Sequence, residues 1–489
     1  MIPNPMALFG AAPPPAPPPT LLDSLLALAP RYRQAGCGTS AYPFLAATIL
    51  FTLLMEAWER YLDWRQHRRI SERGSRVPRE LEALVDGMQT SQGESSPAAL
   101  LAKLKAKAPA TRAYALDKLR FKFVCTTYSL AKALAFVLLG AMPYLWDSAE
   151  SIGQKYGVGG EIKTSLIFYG LWELADTLLN LPTALYSTFV VEAKHGFNKT
   201  TPLLFVTDLL KTLALTAVLG APMLALFIKV IQMAGPQNLA LYVGTFFVLV
   251  STFFVTIYPV VIQPLFNTYE PLETGPLRTK IEALAQKVHY PLYKLFKVDG
   301  SKRSSHSNAY MYGFFKSKRI VLFDTLLKQC SDEEIVAILA HELGHWHHGH
   351  VLLTFGISQL YIFTAFAFFG RCMGSVDLYS AFGFFAAEGA SATAGAPVIV
   401  GVLLFFAFLW EPVDHLLSFV MTWNSRRMEF QADAYGRTQG FGAPLQRGLV
   451  KITFENLGVL DPDPWFSTYH HSHPPLVERL RGIDSKKME

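Results

Sequence analysis

Long apolar runs constrain the fold of this 489-residue chain more than any other feature of its sequence. Each is long enough to cross about 30 Å of hydrocarbon, for which a helix needs roughly 20 residues. The composition agrees, because 51% of the residues are hydrophobic and only 17% are charged. We therefore predict an α-helical multi-pass membrane protein with seven transmembrane helices. The runs lie near residues 42–62, 123–146, 164–191, 206–232, 238–266, 351–370 and 397–423.

Two of these runs contain acidic residues, Glu56 and Glu59 in the first and Glu173 and Asp176 in the third. Ionisable groups within a bilayer cost free energy and normally face a bundle interior or a water-filled cavity. We therefore expect these spans to line an internal chamber. The alternative is that each run starts or stops one turn away and leaves its carboxylates among the lipid headgroups. For Glu59 this alternative stays open.

The connections between the runs alternate in their content of Lys and Arg. Segment 63–122 is rich in both, the next connection is nearly neutral, and the alternation continues to segment 371–396, which holds one basic residue. Because basic loops stay in the cytosol, the N-terminus is expected in the lumen and the C-terminus in the cytosol. Segments 267–350 and 424–489 are then cytosolic.

The first cytosolic segment predicts a small β-sheet in front of a helix. A helix is expected around 277–288, followed by three short β-branched and aromatic runs, YKLFKVDG, SNAYMYGFF and KRIVLFDTLL. The next helix begins at SDEEIVAILA, where Ser331 is a suitable N-cap and Glu333 and Glu334 suit the first turn.

This helix carries HELGH, an HExxH sequence at the head of the apolar stretch 335–355. His341 and His345 are four residues apart, so on a helix both imidazoles can reach one ion. Glu342 lies beside the same position, where a carboxylate can take a proton from water whose pKa a metal has lowered. The motif predicts a zinc-dependent hydrolase.

A catalytic zinc needs a third protein ligand. The four cysteines (37, 125, 330 and 372) are widely separated and indicate neither a disulfide framework nor a thiolate zinc site. An astacin-like pattern fails because His348 and Val351 stand where it requires Gly and His. MEFQAD offers Glu429 as the ligand, and Asp433, one turn on, could accept an N–H from a ligand histidine. The alternative is an exposed acidic face paired with neighbouring arginines, Arg426 or Arg427.

Other histidines compete for a role. We expect His347, His348 and His350 to be interfacial or solvated residues, not ligands. His473 lies in HPPLVERL, where prolines fix an extended segment, and its imidazole could donate to the oxyanion of a tetrahedral intermediate.

Six separated blocks, in this order and with this membrane spacing, closely resemble the type I CAAX prenyl proteases, which are integral-membrane zinc endopeptidases. The similarity runs from about Ala41 to Gly482. The blocks are HGFN (195–198), YPVVIQPLFNTYEPLE (258–273), SNAYMYGFFKSKRIVLFDTLL (307–327), HELGHWHHGH (341–350), SRRMEFQADAYG (425–436) and SHPPLVERL (472–480).

The resemblance implies a hollow barrel of seven helices around a water-filled chamber, with the metal near its cytosolic end. It implies zinc bound by His341, His345 and Glu429, with Glu342 as general base and later proton donor. Asn308 would hold the substrate backbone as an extra strand on the sheet edge. Further roles implied by the matching positions are transition-state or substrate binding for His473 and Arg479, and support of a ligand by Asp433.

The implied substrate is a protein ending in a prenylated Cys and three further residues, which are removed together; some lineages make a second, more N-terminal cut. The expected partners are prenylated proteins and the bilayer. The net charge of +6 is modest, and no nucleic-acid partner is expected. Two other interpretations remain: a broader quality-control protease of the membrane, and a non-catalytic conduit or scaffold.

The chain departs from the family pattern in a proline-rich tail with PPPAPPP at 13–19, expected to be extended or disordered, and in an insert around 88–98. Lys486 and Lys487 resemble a di-lysine retrieval signal for the endoplasmic reticulum membrane. The predicted division is a tail (1–40), helices one to five (41–266), a catalytic segment (267–350), helices six and seven (351–423) and a C-terminal segment with the third ligand (424–489).

Overall fold

The fold is given by a computed structural model that describes residues 44–89, 96–313, 318–384 and 397–484. The proline-rich tail, residues 90–95 of the insert and the di-lysine pair lie outside these ranges.

Helices occupy each of the five apolar runs predicted before residue 267. Short π-helical segments extend three of them, at Ser187–Glu192, Thr216–Gly220 and Tyr258–Ile262. In chain order the helices are α1 (Phe44–Arg73), α2 (Arg79–Asp86), α3 (Pro97–Leu138), α4 (Ala141–Lys155), α5 (Glu161–Tyr186), α6 (Pro202–Leu215) and α7 (Ala221–Ile257).

Two glycines with positive φ interrupt this part of the chain. Gly235 (φ 63°) precedes Pro236 and kinks α7, in agreement with the predicted gap between runs 206–232 and 238–266. Gly140 (φ 65°) separates α3 from α4. The prediction of a single helix over 123–146 is therefore wrong. Glycine has no Cβ and so adopts positive φ without the steric penalty that other residues incur, which allows the chain to break the helix here.

The described helices support a multi-pass membrane protein. By length and composition, three stretches could cross a bilayer: Pro97–Leu138, Pro202–Leu265 and His350–Cys372. A pair bent by 60°, Val398–Leu409 with Glu411–Glu455, makes a fourth if it is one span. This count is below the seven predicted from the sequence.

Acidic residues of the predicted spans have partners within the protein. Asp176 accepts a hydrogen bond from Lys132 Nζ at 2.8 Å. Glu59 lies 3.2 Å from His470 Nε2. Pairing lowers the free-energy cost of an ionisable group away from water, but His470 belongs to the C-terminal segment that is expected in the cytosol, so both positions for Glu59 stay open.

The second half of the chain forms a small sheet and the helices around it. In order the elements are β1 (Tyr269–Pro271), α8 (Pro276–Lys287), β2 (Leu292–Val298), β3 (Ala309–Tyr312), β4 (Lys318–Phe323), α9 (Asp324–Gln329), α10 (Asp332–His347), α11 (His350–Cys372), α12 (Val376–Ala381), α13 (Val398–Leu404), α14 (Glu411–Gly436), α15 (Gly442–Glu455), α16 (Pro464–His470) and α17 (Leu476–Asp484).

The sheet has the strand order β1-β2-β4-β3, so β3 is an edge strand. Strands β2 and β4 pair in parallel, and the other two pairs are antiparallel. The three predicted strands are confirmed. Strand β1 was not predicted, because three residues are too few to show an alternating pattern.

Helix α10 is buried between this sheet and the helices of the C-terminal segment. Ile320 and Leu322 of β4 share one hydrophobic core with Leu339 of α10, Tyr435 of α14 and Leu445 of α15. The HExxH helix is therefore fixed on several sides, which is what a site needs if its side chains are to keep their positions.

The start of α10 agrees with the prediction. Ser331 is the N-cap and forms a capping box with Glu334. Glu334 is also buried, and its carboxylate lies 2.7 Å from Lys451 Nζ of α15.

Helix α10 ends before the apolar stretch 335–355 does. The stretch 335–355 is two helices, because Gly349 adopts φ 67°, ψ 26° between His348 and the start of α11 at His350. A single residue in the left-handed region redirects the chain without changing the apolar pattern, and so the pattern alone does not reveal the break.

Candidate metal centre

Helices α10 and α14 bring three potential metal ligands together. The Nε2 atoms of His341 and His345 are 3.3 Å apart. Glu429 Oε2 lies 3.6 Å from His341 Nε2, and its Oε1 lies 3.3 Å from His345 Nε2. Within the described ranges, these three residues form the one group able to share a metal ion.

This group fits a zinc ion on two counts. Tetrahedral ligands at about 2.0–2.2 Å from zinc lie about 3.3–3.6 Å from one another, which matches the observed separations. In addition, Glu429 Oε2 is buried and finds no hydrogen-bond donor in the part of the chain that the structure describes. A buried acceptor without a partner is costly, and a cation between the three side chains would satisfy it.

A second carboxylate supports His341 from behind. Asp433 Oδ1 lies 2.8 Å from His341 Nδ1, so Nδ1–H donates to the carboxylate and the lone pair of Nε2 faces the ligand group. Glu429 and Asp433 are only 3% and 1% exposed. The alternative of an exposed acidic face is wrong.

Arg479 holds this second carboxylate. Its Nε and Nη2 donate to Asp433 at 2.8 and 2.6 Å, and Nη1 lies 3.5 Å from Glu429 Oε2. The guanidinium is buried, and its two hydrogen bonds to a carboxylate both go to Asp433. Arg479 therefore supports Asp433, and its role in transition-state or substrate binding stays a prediction.

Glu342 lies between the two ligand histidines in sequence and is only partly accessible to solvent. Burial raises the pKa of its carboxyl group, and the nearby charges of His341 and His345 oppose that effect.

His473 and Asn308 have less enclosed positions. His473 Nε2 lies 3.3 Å from Glu429 Oε1, while its side chain is 66% exposed, so it stands at the open side of the cluster. Asn308 is exposed directly before the edge strand β3. Its Oδ1 accepts the backbone N–H of Ala309 at 2.9 Å, and β3 packs against α10.

The histidines after the motif divide into two kinds. His347 and His348 are exposed, as expected. His350 is 5% exposed, and its Nδ1 lies 2.9 Å from His345 Nδ1. The expectation of a solvated His350 is wrong, because the turn at Gly349 directs this side chain back toward the cluster.

Gly344 was overlooked in the sequence, although it stands inside the motif. A Cβ at this position would lie 2.8 Å from Ala432 Cα and 3.0 Å from Ala432 O. The backbones of α10 and α14 therefore meet here, one turn from the ligands of both helices. A glycine between two ligand histidines is the signal that could have indicated this contact.

We expect Gly344→Ala to separate the two helices and weaken the metal site. The clash is with backbone, which cannot rotate away, and overpacking of this kind costs about 1–3 kcal/mol. Thermal unfolding and zinc content of the purified protein measure the effect. Gly356→Ala in α11 is the matched control, because its Cβ would meet nothing within 4 Å. Equal stability and zinc content in both variants would contradict the prediction.

Family models match both halves of the chain. One described as "CAAX prenyl protease N-terminal, five membrane helices" matches residues 66–268, and one described as "Peptidase family M48" matches residues 271–487.

Similar proteins cover almost the whole chain. The "CAAX prenyl protease 1 homolog" of Oryza sativa subsp. japonica is 43% identical over 453 residues, 91% of this chain and 99% of that protein. The homolog of the same name from Homo sapiens is 37% identical, over 90% of this chain and 95% of that protein. The crystal structure of S. mikatae Ste24p matches with a TM-score of 0.81 at 37% identity, covering 91% of this chain and 100% of that one.

Proposed function

This chain belongs to the CAAX prenyl protease 1 family of M48 metallopeptidases, and we propose that it is a zinc-dependent endopeptidase that removes the C-terminal tripeptide from prenylated CAAX proteins. The observation that carries the proposal is the group of His341, His345 and Glu429, in which each carboxylate oxygen lies near one imidazole Nε2. One of these oxygens, Glu429 Oε2, is buried without a hydrogen-bond donor among the described residues. Glu342 stands beside this group on the same helix.

His341, His345 and Glu429 would hold the zinc ion. When bound, the ion supplies Lewis-acid chemistry, since it lowers the pKa of water and polarises a carbonyl group. Glu342 accepts a proton from the attacking water and returns it to the amine of the leaving tripeptide. Asp433 keeps the Nε2 lone pair of His341 directed at the site.

Two further residues orient the substrate and the reacting carbonyl. His473, at the open side of the cluster, donates an N–H to the carbonyl oxygen as negative charge develops on it. Asn308 marks the free edge of the sheet, where the backbone of an extended peptide can pair with β3. Arg479 acts from behind, because it holds Asp433 and balances the charge of the two buried carboxylates.

The membrane placement is part of the same proposal. The chain crosses the bilayer seven times and encloses a chamber, with the N-terminus in the lumen of the endoplasmic reticulum and the metal at the cytosolic side. Support comes from the alternation of basic loops, the paired carboxylates Glu59 and Asp176 within predicted spans, and the family model for an N-terminal part with five membrane helices.

Cleavage of matched peptides tests the substrate. We expect the purified protein to release the tripeptide from a farnesylated CAAX peptide. This cleavage should stop after treatment with a zinc chelator and resume when zinc is added back. The unprenylated peptide of the same sequence should react much more slowly, because it lacks the lipid that places the scissile bond at the membrane boundary. Equal rates for both peptides would point to a broader membrane protease, and cleavage of neither would point to a conduit or scaffold.

A further inference from the structure

The contact between His345 and His350 depends on the turn at Gly349. In a continuous helix, residues five positions apart point in different directions, since each residue turns the helix by about 100°. Gly349 breaks the helix with φ 67°, and the first residue of α11 then returns to the cluster. His350 is 5% exposed, and its Nδ1 lies 2.9 Å from His345 Nδ1.

The other nitrogen of His350 reaches α14. His350 Nε2 lies 3.0 Å from Gln431 Oε1. Gln431 stands between Glu429 and Asp433 in the sequence, so three residues of one short segment serve the same centre. These contacts form a chain from Gln431 through His350 to His345.

These hydrogen bonds determine the tautomers of His350 and His345. An amide oxygen can only accept, so His350 Nε2 carries the proton that it donates to Gln431. His350 Nδ1 is then the acceptor, and His345 Nδ1 must carry the proton between the two rings. His345 Nε2 is then unprotonated and keeps its lone pair. This nitrogen is the one that faces Glu429 and His341.

We propose that His350 and Gln431 are positioning residues that hold His345 in the tautomer and ring orientation needed to bind the metal. The proposal rests on the metal site of the proposed function. Both ligand histidines are then fixed from behind: His341 by a carboxylate and His345 by a neutral histidine–amide pair. A neutral histidine–amide pair adds no further negative charge to a site that already contains Glu429 and Asp433. A hydrogen-bond partner of this kind sets the geometry and basicity of the ligand.

Zinc affinity of the full-length purified protein, measured by competition with a chelator and without any peptide, tests the proposal. His350→Phe keeps a ring but no nitrogen, and Gln431→Met keeps the chain length but no acceptor. Each should weaken zinc binding about 10–100-fold, the usual cost of losing an outer-shell partner. Gln431→Glu retains an acceptor oxygen and should bind zinc at least as tightly as the wild type. His347→Phe, on the exposed neighbour that packs on Tyr435, is the matched control and should leave affinity unchanged.

The double variant H350F/Q431M should be no weaker than H350F alone, because either change breaks the same chain of hydrogen bonds. Zinc affinity of Gln431→Met within twofold of the wild type overturns the proposal, even if His350→Phe does not fold. So does a Gln431→Glu variant as weak as Gln431→Met, since the acceptor would then be irrelevant. Failure of the wild type itself to bind zinc would instead refute the proposed function.

Discussion

Glu342→Gln is expected to retain zinc and to lose cleavage of a farnesylated CAAX peptide by about 10²–10⁴-fold. The amide has nearly the same shape as the carboxylate but cannot accept the proton of the attacking water. Because Glu342 is not one of the three ligands that face each other, metal content should not change. Metal analysis and turnover on the same preparation measure both quantities.

Glu333→Gln is the matched control for this variant. Glu333 lies on the first turn of the same helix, is half-exposed and pairs with Lys280, so its loss should leave both zinc and turnover unchanged. Normal cleavage by Glu342→Gln would contradict the role of Glu342 as general base. Loss of zinc from that variant would show that Glu342 contributes to the metal site directly.

Glu429→Ala is expected to lose zinc, and activity with it. The change removes the one ligand outside the HExxH motif. Zinc affinity should therefore fall by more than the roughly 10–100-fold that is usual when a residue that only supports a ligand is lost. Only two imidazoles would remain, whereas a catalytic zinc is held by three protein ligands. Stoichiometric zinc in the purified variant would refute Glu429 as a ligand.

Glu478→Ala controls for the loss of a carboxylate near the site. Glu478 pairs with Arg426 at 2.7 Å and does not belong to the ligand group. If both variants lost zinc equally, the effect would be on the C-terminal segment as a whole, and Glu429 would have no special role.

Local periodicity explains what could be predicted from the sequence. His341 and His345, like Glu429 and Asp433, are four residues apart, and a helix turns such a spacing into a shared face whatever surrounds it. The three strands and the N-cap Ser331 follow from equally local patterns.

Single-residue geometry explains what could not be predicted. The left-handed turn at Gly349 buries His350, which was expected to be interfacial or solvated. It changes neither the hydrophobic pattern nor the spacing of the motif. The close contact at Gly344 depends on which helix lies opposite, and that is a tertiary property. The burial of Arg479 could not be predicted for the same reason. An arginine of an amphipathic helix is ordinarily solvated, and only the tertiary fold places this one against Asp433.

The distribution of these parts along the chain also sets an order of assembly during synthesis. Translation completes α10 with its two histidines long before Glu429 and Asp433, and Arg479 follows later still. Since chains are made from the N-terminus, a nascent chain lacks a complete centre until the last predicted apolar run, 397–423, has been synthesised. We therefore expect the chain to have no peptidase activity while its membrane helices are being inserted.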